Sequence, residues 1–90
     1  MFDSTRPYRC SPRVALRPEP FGALVYDFGT RRLSFLKTKQ LAEVVAALAD
    51  HADVDSTLDG VGVTPAQRAA YLHALAGLAD AGTIQPRELA

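Results

Sequence analysis

One cysteine, Cys10, stands alone in this chain, so no internal disulfide can form, and a lone thiol suits a reducing cytoplasm. No apolar run approaches the ~20 residues that span a bilayer, so no membrane partner is expected. The N-terminal stretch MFDSTRPYRCSPR lacks the apolar h-region of a secretory signal, and cytoplasmic localisation is the expectation. The two histidines, His51 and His73, fall on different helices without Cys, Asp or Glu at ligand spacing around them, which argues against zinc. Asp53, Asp55 and Asp59 look superficially like a calcium loop. That loop needs glycine at its sixth position and a bidentate Glu at its twelfth, and neither register supplies both. Helix caps account better for these acids. Gly60 and Gly62 follow no strand and make no phosphate-binding fingerprint. Cys10 has no nearby histidine to activate it. No catalytic residue, metal or cofactor is therefore assigned, and an enzyme is not expected.

What is present is an ordinary globular composition. With 48% hydrophobic and 22% charged residues, the chain is not of the disordered class. Ninety residues make one small domain, which buries roughly two thirds of its unfolded surface. The net charge of zero hides an asymmetry. Residues 1–40 carry eight basic groups against three acids, whereas residues 41–90 carry two against seven. Either the domain is merely dipolar, or its basic strand surface receives an acidic partner.

Residues 1–12 hold two prolines and no periodicity, and read as a flexible arm; residues 13–90 form a single domain. A short first strand is expected over Arg13–Arg17, stopped by Pro18 and Pro20. GALVYDF is a second strand, rich in β-formers. Gly29 suits a left-handed turn position, and RRLSFLK is the third strand. That register would put Ala23 and Val25 on one face with Leu33, set Phe35 opposite Phe21, and leave Leu24, Tyr26, Arg32 and Ser34 on the other face.

Three helical signals follow. TKQLAEVVAALAD carries Leu41, Val44, Val45 and Leu48 at i, i+3, i+4 and i+7, with Thr38 as N-cap. Asp53 or Asp55 would cap a short helix carrying Leu58, broken at Gly60 and Gly62. The last helix opens on TPAQ, with Thr64 as cap, Pro65 at its first position and Gln67 completing a capping box. Its apolar face, Tyr71, Leu72, Leu75, Leu78 and Ala79, is wider than one stripe. Gly82 closes it, and Ile84 can fold back over the last turn. Strands before helices argue for an α+β fold: a three-stranded antiparallel sheet followed by three helices, winged-helix-turn-helix-like.

That layout leaves two functions to weigh. A winged-helix DNA-binding transcription regulator would send the last helix into the major groove, where bases are read by Arg, Lys, Asn or Gln. This helix offers Gln67, Arg68 and His73, carries Asp80, and sits in the acidic half of the chain. No nucleic acid is expected on that balance. The other candidate is the edge of RRLSFLK. Arg31, Arg32 and Lys37 could be charges that blunt an exposed edge. Between them, however, lies LSFL, apolar enough to pair with an extended peptide as an added strand. A second copy of the chain could take the same edge, giving a homodimer.

The stretch RVALRPEPFGALVYDFGTRRLSFLKTKQLAEVVAALAD, with the helix from Thr64, resembles the small PqqD-like domains that recognise precursor peptides, the RiPP recognition elements. The likeness lies in the R-P of the first strand, the GALVYD hairpin, and a third strand running directly into a helix. Within that group it is most similar to the mycofactocin biosynthesis chaperones, with an LKT junction at Leu36 to Thr38. Many relatives have Asn-Pro where this chain has Lys37-Thr38. The resemblance implies a non-catalytic peptide chaperone. It would bind the leader of a ribosomally made precursor by β-strand addition and present it to a radical SAM maturase. Carried over by position, the peptide-binding strand is Arg31, Arg32, Leu33, Ser34, Phe35 and Leu36. The groove side of the last helix would include Arg68, Tyr71, Leu72 and Leu75. The chain has no iron–sulfur motif, so any cluster would belong to the maturase.

Overall fold

The computed structural model describes residues 1–87; Glu88, Leu89 and Ala90, counted within the domain above, lie outside the described residues. In chain order the elements are strands β1 (Tyr8–Cys10), β2 (Val14–Glu19), β3 (Gly22–Asp27) and β4 (Arg32–Leu36). Helices α1 (Lys39–Ala47), α2 (Val54–Val61) and α3 (Pro65–Asp80) follow, and β5 (Ile84–Pro86) comes last. A 3-10 turn over Leu48–Asp50 extends α1. The fold is α+β, with a three-stranded antiparallel sheet in the order β2-β3-β4 and three helices.

A second sheet, β1 with β5, has no counterpart in the sequence reading. Tyr8 pairs with Pro86, Arg9 with Gln85 and Cys10 with Ile84. Part of the expected loose arm is therefore a strand, and Tyr8 and Ile84 are both buried. Residues before it are also tied down. The N–H groups of Val54 and Asp55, left without partners by the start of α2, donate to the carbonyls of Arg6 (3.3 Å) and Ser4 (3.0 Å).

Local chemistry sets the helix ends. Thr38 Oγ1 accepts from the Leu41 N–H at 3.0 Å, and Asp53 Oδ1 from the Ser56 N–H at 2.7 Å. Gln67 Oε1 accepts from the Thr64 N–H at 3.1 Å, the reach-back half of the expected capping box. Gly60 does not break α2, which ends at Gly62. Val44, Val45 and Leu48 meet Val54, Leu58 and Leu75 in one core over Ala23, Val25 and Leu36.

The sheet departs from the sequence reading in two places. β2 runs through Pro18 to Glu19, because an edge strand bonds on one side only and can carry a residue without an N–H. More consequentially, the β3–β4 connection spans residues 28–31, and the left-handed residue is Arg31 (φ 60°), not Gly29. Asp27 Oδ1 accepts from the N–H groups of Gly29 (2.8 Å) and Thr30 (3.1 Å) and shapes this loop. A β-carbon on Gly29 would lie 2.7 Å from Arg13 Cδ, so glycine is there for close approach.

The pairing that results is Ala23 with Leu36, Val25 with Ser34 and Asp27 with Arg32. The expected facing of β4 is thus reversed. Arg32, Ser34 and Leu36 share the helix-covered face with Ala23 and Val25, while Leu33 and Phe35 share the outer face with Tyr26 and Leu24.

Candidate functional site

Main-chain direction at β4 follows from the turns at either end of β3. The two-residue turn Pro20-Phe21 closes on the pair Glu19 and Gly22, and the Phe28 N–H donates to the Arg13 carbonyl at 2.8 Å. Even-numbered residues of β3 therefore bond to β2. The Asp27 carbonyl accepts from the Arg31 N–H at 2.7 Å, so the odd-numbered ones face β4. Because antiparallel pairs alternate, Arg32, Ser34 and Leu36 bond to β3, whereas the N–H and C=O groups of Leu33 and Phe35 point away from it. Among the described residues no backbone group meets them. Arg31, Arg32 and Lys37 around this edge form no ion pair with any described residue.

Beside the edge lies a cleft of about 380 Å³, lined by Val25, Asp27, Thr30, Arg32, Ser34, Ala81 and Thr83. It separates the inward side of β4 from the C-terminal end of α3. The start of α3 lies nearer the other end of β4. There the Tyr71 hydroxyl donates to Gln40 Oε1 at 3.1 Å and stands 3.4 Å from Thr38 Oγ1, two residues beyond Leu36. α3 thus runs opposite in direction to β4, with Tyr71 near Thr38 and its C-terminal end, at Ala81, on the cleft. A strand laid on Leu33 and Phe35 would alternate its side chains between this cleft and the outer face.

The predicted site residues are only partly brought together. Leu33 and Phe35 are exposed on the outer face, both at 56%. Arg32 and Ser34 line the cleft, and Arg31 holds the turn. Leu36 and Leu75 are core residues with 2% and 0% exposure. Tyr71 is not part of the cleft lining and sits by Thr38 and Gln40, beyond the end of β4. Arg68 instead reaches α2, 3.0 Å from Asp59 and 2.9 Å from Asp55, and those two hydrogen bonds raise its pKa further. Leu72 faces Met1, Phe2, Asp3 and Ser4.

Sequence reasoning did not single out Ala81, Thr83 and Thr30 as cleft residues. For Thr30 and Thr83 no local signal existed.

Arg13 closes one end of the cleft. Its Nε donates to Asp27 Oδ1 and Oδ2 at 3.1 and 3.0 Å, and its Nη2 donates to the Gly82 carbonyl at 3.3 Å. Burial pushes the Asp27 carboxyl up, but hydrogen bonds from Thr30, Arg13 and Gly29 outweigh it and leave the pKa lowered. Elsewhere, burial raises the Cys10 thiol above its ordinary value against the opposing charge of Arg9. Among the described residues no cluster of His, Cys, Asp and Glu could hold a metal ion, and no helix is long and apolar enough to cross a membrane.

A small α+β domain with a free sheet edge at β4, a cleft beside it and no metal-binding cluster among its described residues has the geometry of a binding domain. The chain belongs to the peptide chaperone MftB family, whose model matches residues 7–85. It is 51% identical over 87 residues to the peptide chaperone MftB of Mycobacterium tuberculosis, covering 97% of this chain and 80% of that protein. The corresponding figures for the Mycobacterium ulcerans protein are 52%, 97% and 80%. For the Mycolicibacterium smegmatis protein they are 52%, 94% and 83%. These relatives are named for chaperoning a peptide, a non-catalytic role. No solved structure matches the chain.

Proposed function

We propose that this protein is a non-catalytic peptide chaperone of mycofactocin biosynthesis, acting in the cytoplasm. It takes the leader of a ribosomally made precursor peptide as an added strand on β4 and presents the precursor to a radical SAM maturase. The observation that carries this reading is the open edge, with the main-chain groups of Leu33 and Phe35 facing outward beside the α3 cleft. An incoming strand gains main-chain hydrogen bonds there, and the alternate side chains that enter the cleft supply selectivity. The cation Arg32 in the cleft wall and Tyr71, beside Thr38 just beyond β4, are the side chains best placed to be felt by the peptide.

The protein's work in this reading is to raise local concentration. Holding the leader turns encounter between maturase and precursor into an event within one complex. No residue of the chain makes or breaks a bond.

Calorimetric titration with the leader peptide tests it. Saturable binding is expected, weakened at least about tenfold by Phe35→Pro, which removes one outward donor without taking a bond from the β3 ladder. If the leader does not bind the wild-type chain, or binds Phe35→Pro equally well, the reading fails. Binding to duplex DNA that collapses steeply with salt would replace it with the winged-helix alternative.

A further inference from the structure

The three helices and the second sheet all lie on one side of β2-β3-β4, and the other side carries an exposed apolar face. Phe21 packs on Phe35 with ring centroids 5.9 Å apart, and Tyr26 on Phe28 at 4.8 Å. These pairs mark opposite ends of the face, with Leu24 and Leu33 between them. Phe28 is 63% exposed and Phe21 45%, although each is a large ring that gains nothing from water. We propose that this outer face is where the maturase docks, on a surface of its own that presents apolar side chains ringed by carboxylates. The proposal rests on the peptide-delivery reading above.

Two observations choose this occupant. The first is charge. Arg17 lies on the same face, paired with Leu24 in the ladder, and Arg31 and Lys37 stand at the two ends of β4. Glu19 is the one acid on β2, and it sits 3.9 Å from Arg17. A second copy docking face to face would set these cations against their own kind, whereas a carboxylate rim would answer them. Aromatic side chains with arginine at the margin are also the composition of a protein–protein contact. Nucleic acid fits less well, because the chain as a whole has no net charge and its helical half is acidic.

The second observation is continuity with the open edge. Leu33 and Phe35 supply the outward main-chain groups of β4 and also side chains of the outer face. A strand held on that edge has its inward side chains in the cleft, so its remaining accessible side chains extend the outer face. A maturase seated there would touch carrier and cargo together.

The test uses the full chain bound to the precursor's leader and titrated into the radical SAM maturase, as wild type, Phe28→Ser and Arg17→Glu. Neither substituted residue belongs to the open edge. Each variant is expected to lose at least roughly tenfold in maturase affinity while keeping leader affinity within about twofold. Arg17→Glu is a surface change that spares the core, so it remains informative if Phe28→Ser folds poorly. Unchanged maturase affinity in Arg17→Glu and in folded Phe28→Ser would overturn the proposal. So would variants that instead abolish self-association or the binding of a single-stranded RNA oligonucleotide. Failure of the wild-type chain to bind the leader sinks the delivery reading itself, and it is seen before any variant is made.

Discussion

Arg13 grips Asp27 through one nitrogen, with Nε 3.1 and 3.0 Å from the two carboxylate oxygens, and the same guanidinium reaches the Gly82 carbonyl beyond α3. Through Asp27 it also steadies the loop that aims β4, because that carboxylate holds the Gly29 and Thr30 N–H groups. One guanidinium therefore ties the end of β3 to the chain just beyond α3, at the closed end of the cleft.

Acid should loosen this arrangement. The Asp27 pKa is lowered from its ordinary 3.8 in the folded chain, so its contribution to stability is complete above that value. It is lost as pH falls from there through the lowered folded value. Asp53, lowered by its hydrogen bonds with Ser56, behaves alike. Urea unfolding followed from pH 7 to pH 2 is expected to show stability falling below about pH 4. In Asp27→Asn that fall should be shallower but not absent, starting from a less stable protein at pH 7. An acid limb identical to wild type would contradict the assignment.

Gly22 is a second control on β4. A β-carbon there would fall on the Leu36 carbonyl oxygen and lie 2.9 Å from the Thr38 carbonyl oxygen, both backbone atoms, at a φ of 157°. Gly22→Ala is expected to cost on the order of 2 kcal/mol or more, since the end of β4 must shift. Chemical denaturation measures it, and a loss below half a kcal/mol would mean that the close approach is not real.

Leu75 separates folding from contact. It is fully buried, so Leu75→Ala should destabilise by about 2–5 kcal/mol and lower the melting temperature by on the order of 10 °C or more. The fraction that remains folded should still bind the leader. A variant that keeps its stability but loses the peptide would place this side chain in the groove instead.

Cys10 should be a slow thiol. It is half-buried, its Sγ lies 3.7 Å from the Val45 carbonyl oxygen, and burial holds its pKa up. Alkylation at neutral pH should proceed at least about tenfold faster in urea than in the native protein. Equal rates would show the thiol to be open.

Much of this fold was legible because its signals are local. Thr38, Asp53 and Thr64 announce helix starts by chemistry confined to three or four residues; Thr38 and Thr64 stand where the sequence placed them, and Asp53 is one of the two caps it offered for α2. The second sheet was not legible, since Tyr8 meets Pro86 across almost the whole chain and three-residue strands carry no periodicity. The facing of β4 was missed for a different reason. Gly29 looked like the left-handed residue, yet its place is set by the approach of Arg13, and Arg31 takes the positive φ. A one-residue difference then exchanged the two faces, turning Leu33 and Phe35 outward. On α3 the apolar face was correctly seen as too wide for one stripe. Which part of it looks at β4 depends on where α2 and the N-terminal residues pack, as Arg68 and Leu72 show.

Amide hydrogen exchange by NMR, on the free chain and with the leader peptide bound, tests the open edge most directly. In the free monomer the Ser34 N–H should be protected by its bond to β3, while those of Leu33 and Phe35 exchange quickly with solvent. With the leader bound, Leu33 and Phe35 should slow by at least about tenfold. If these two amides are already slow in the free monomer, or stay fast in the complex, then β4 does not receive the peptide.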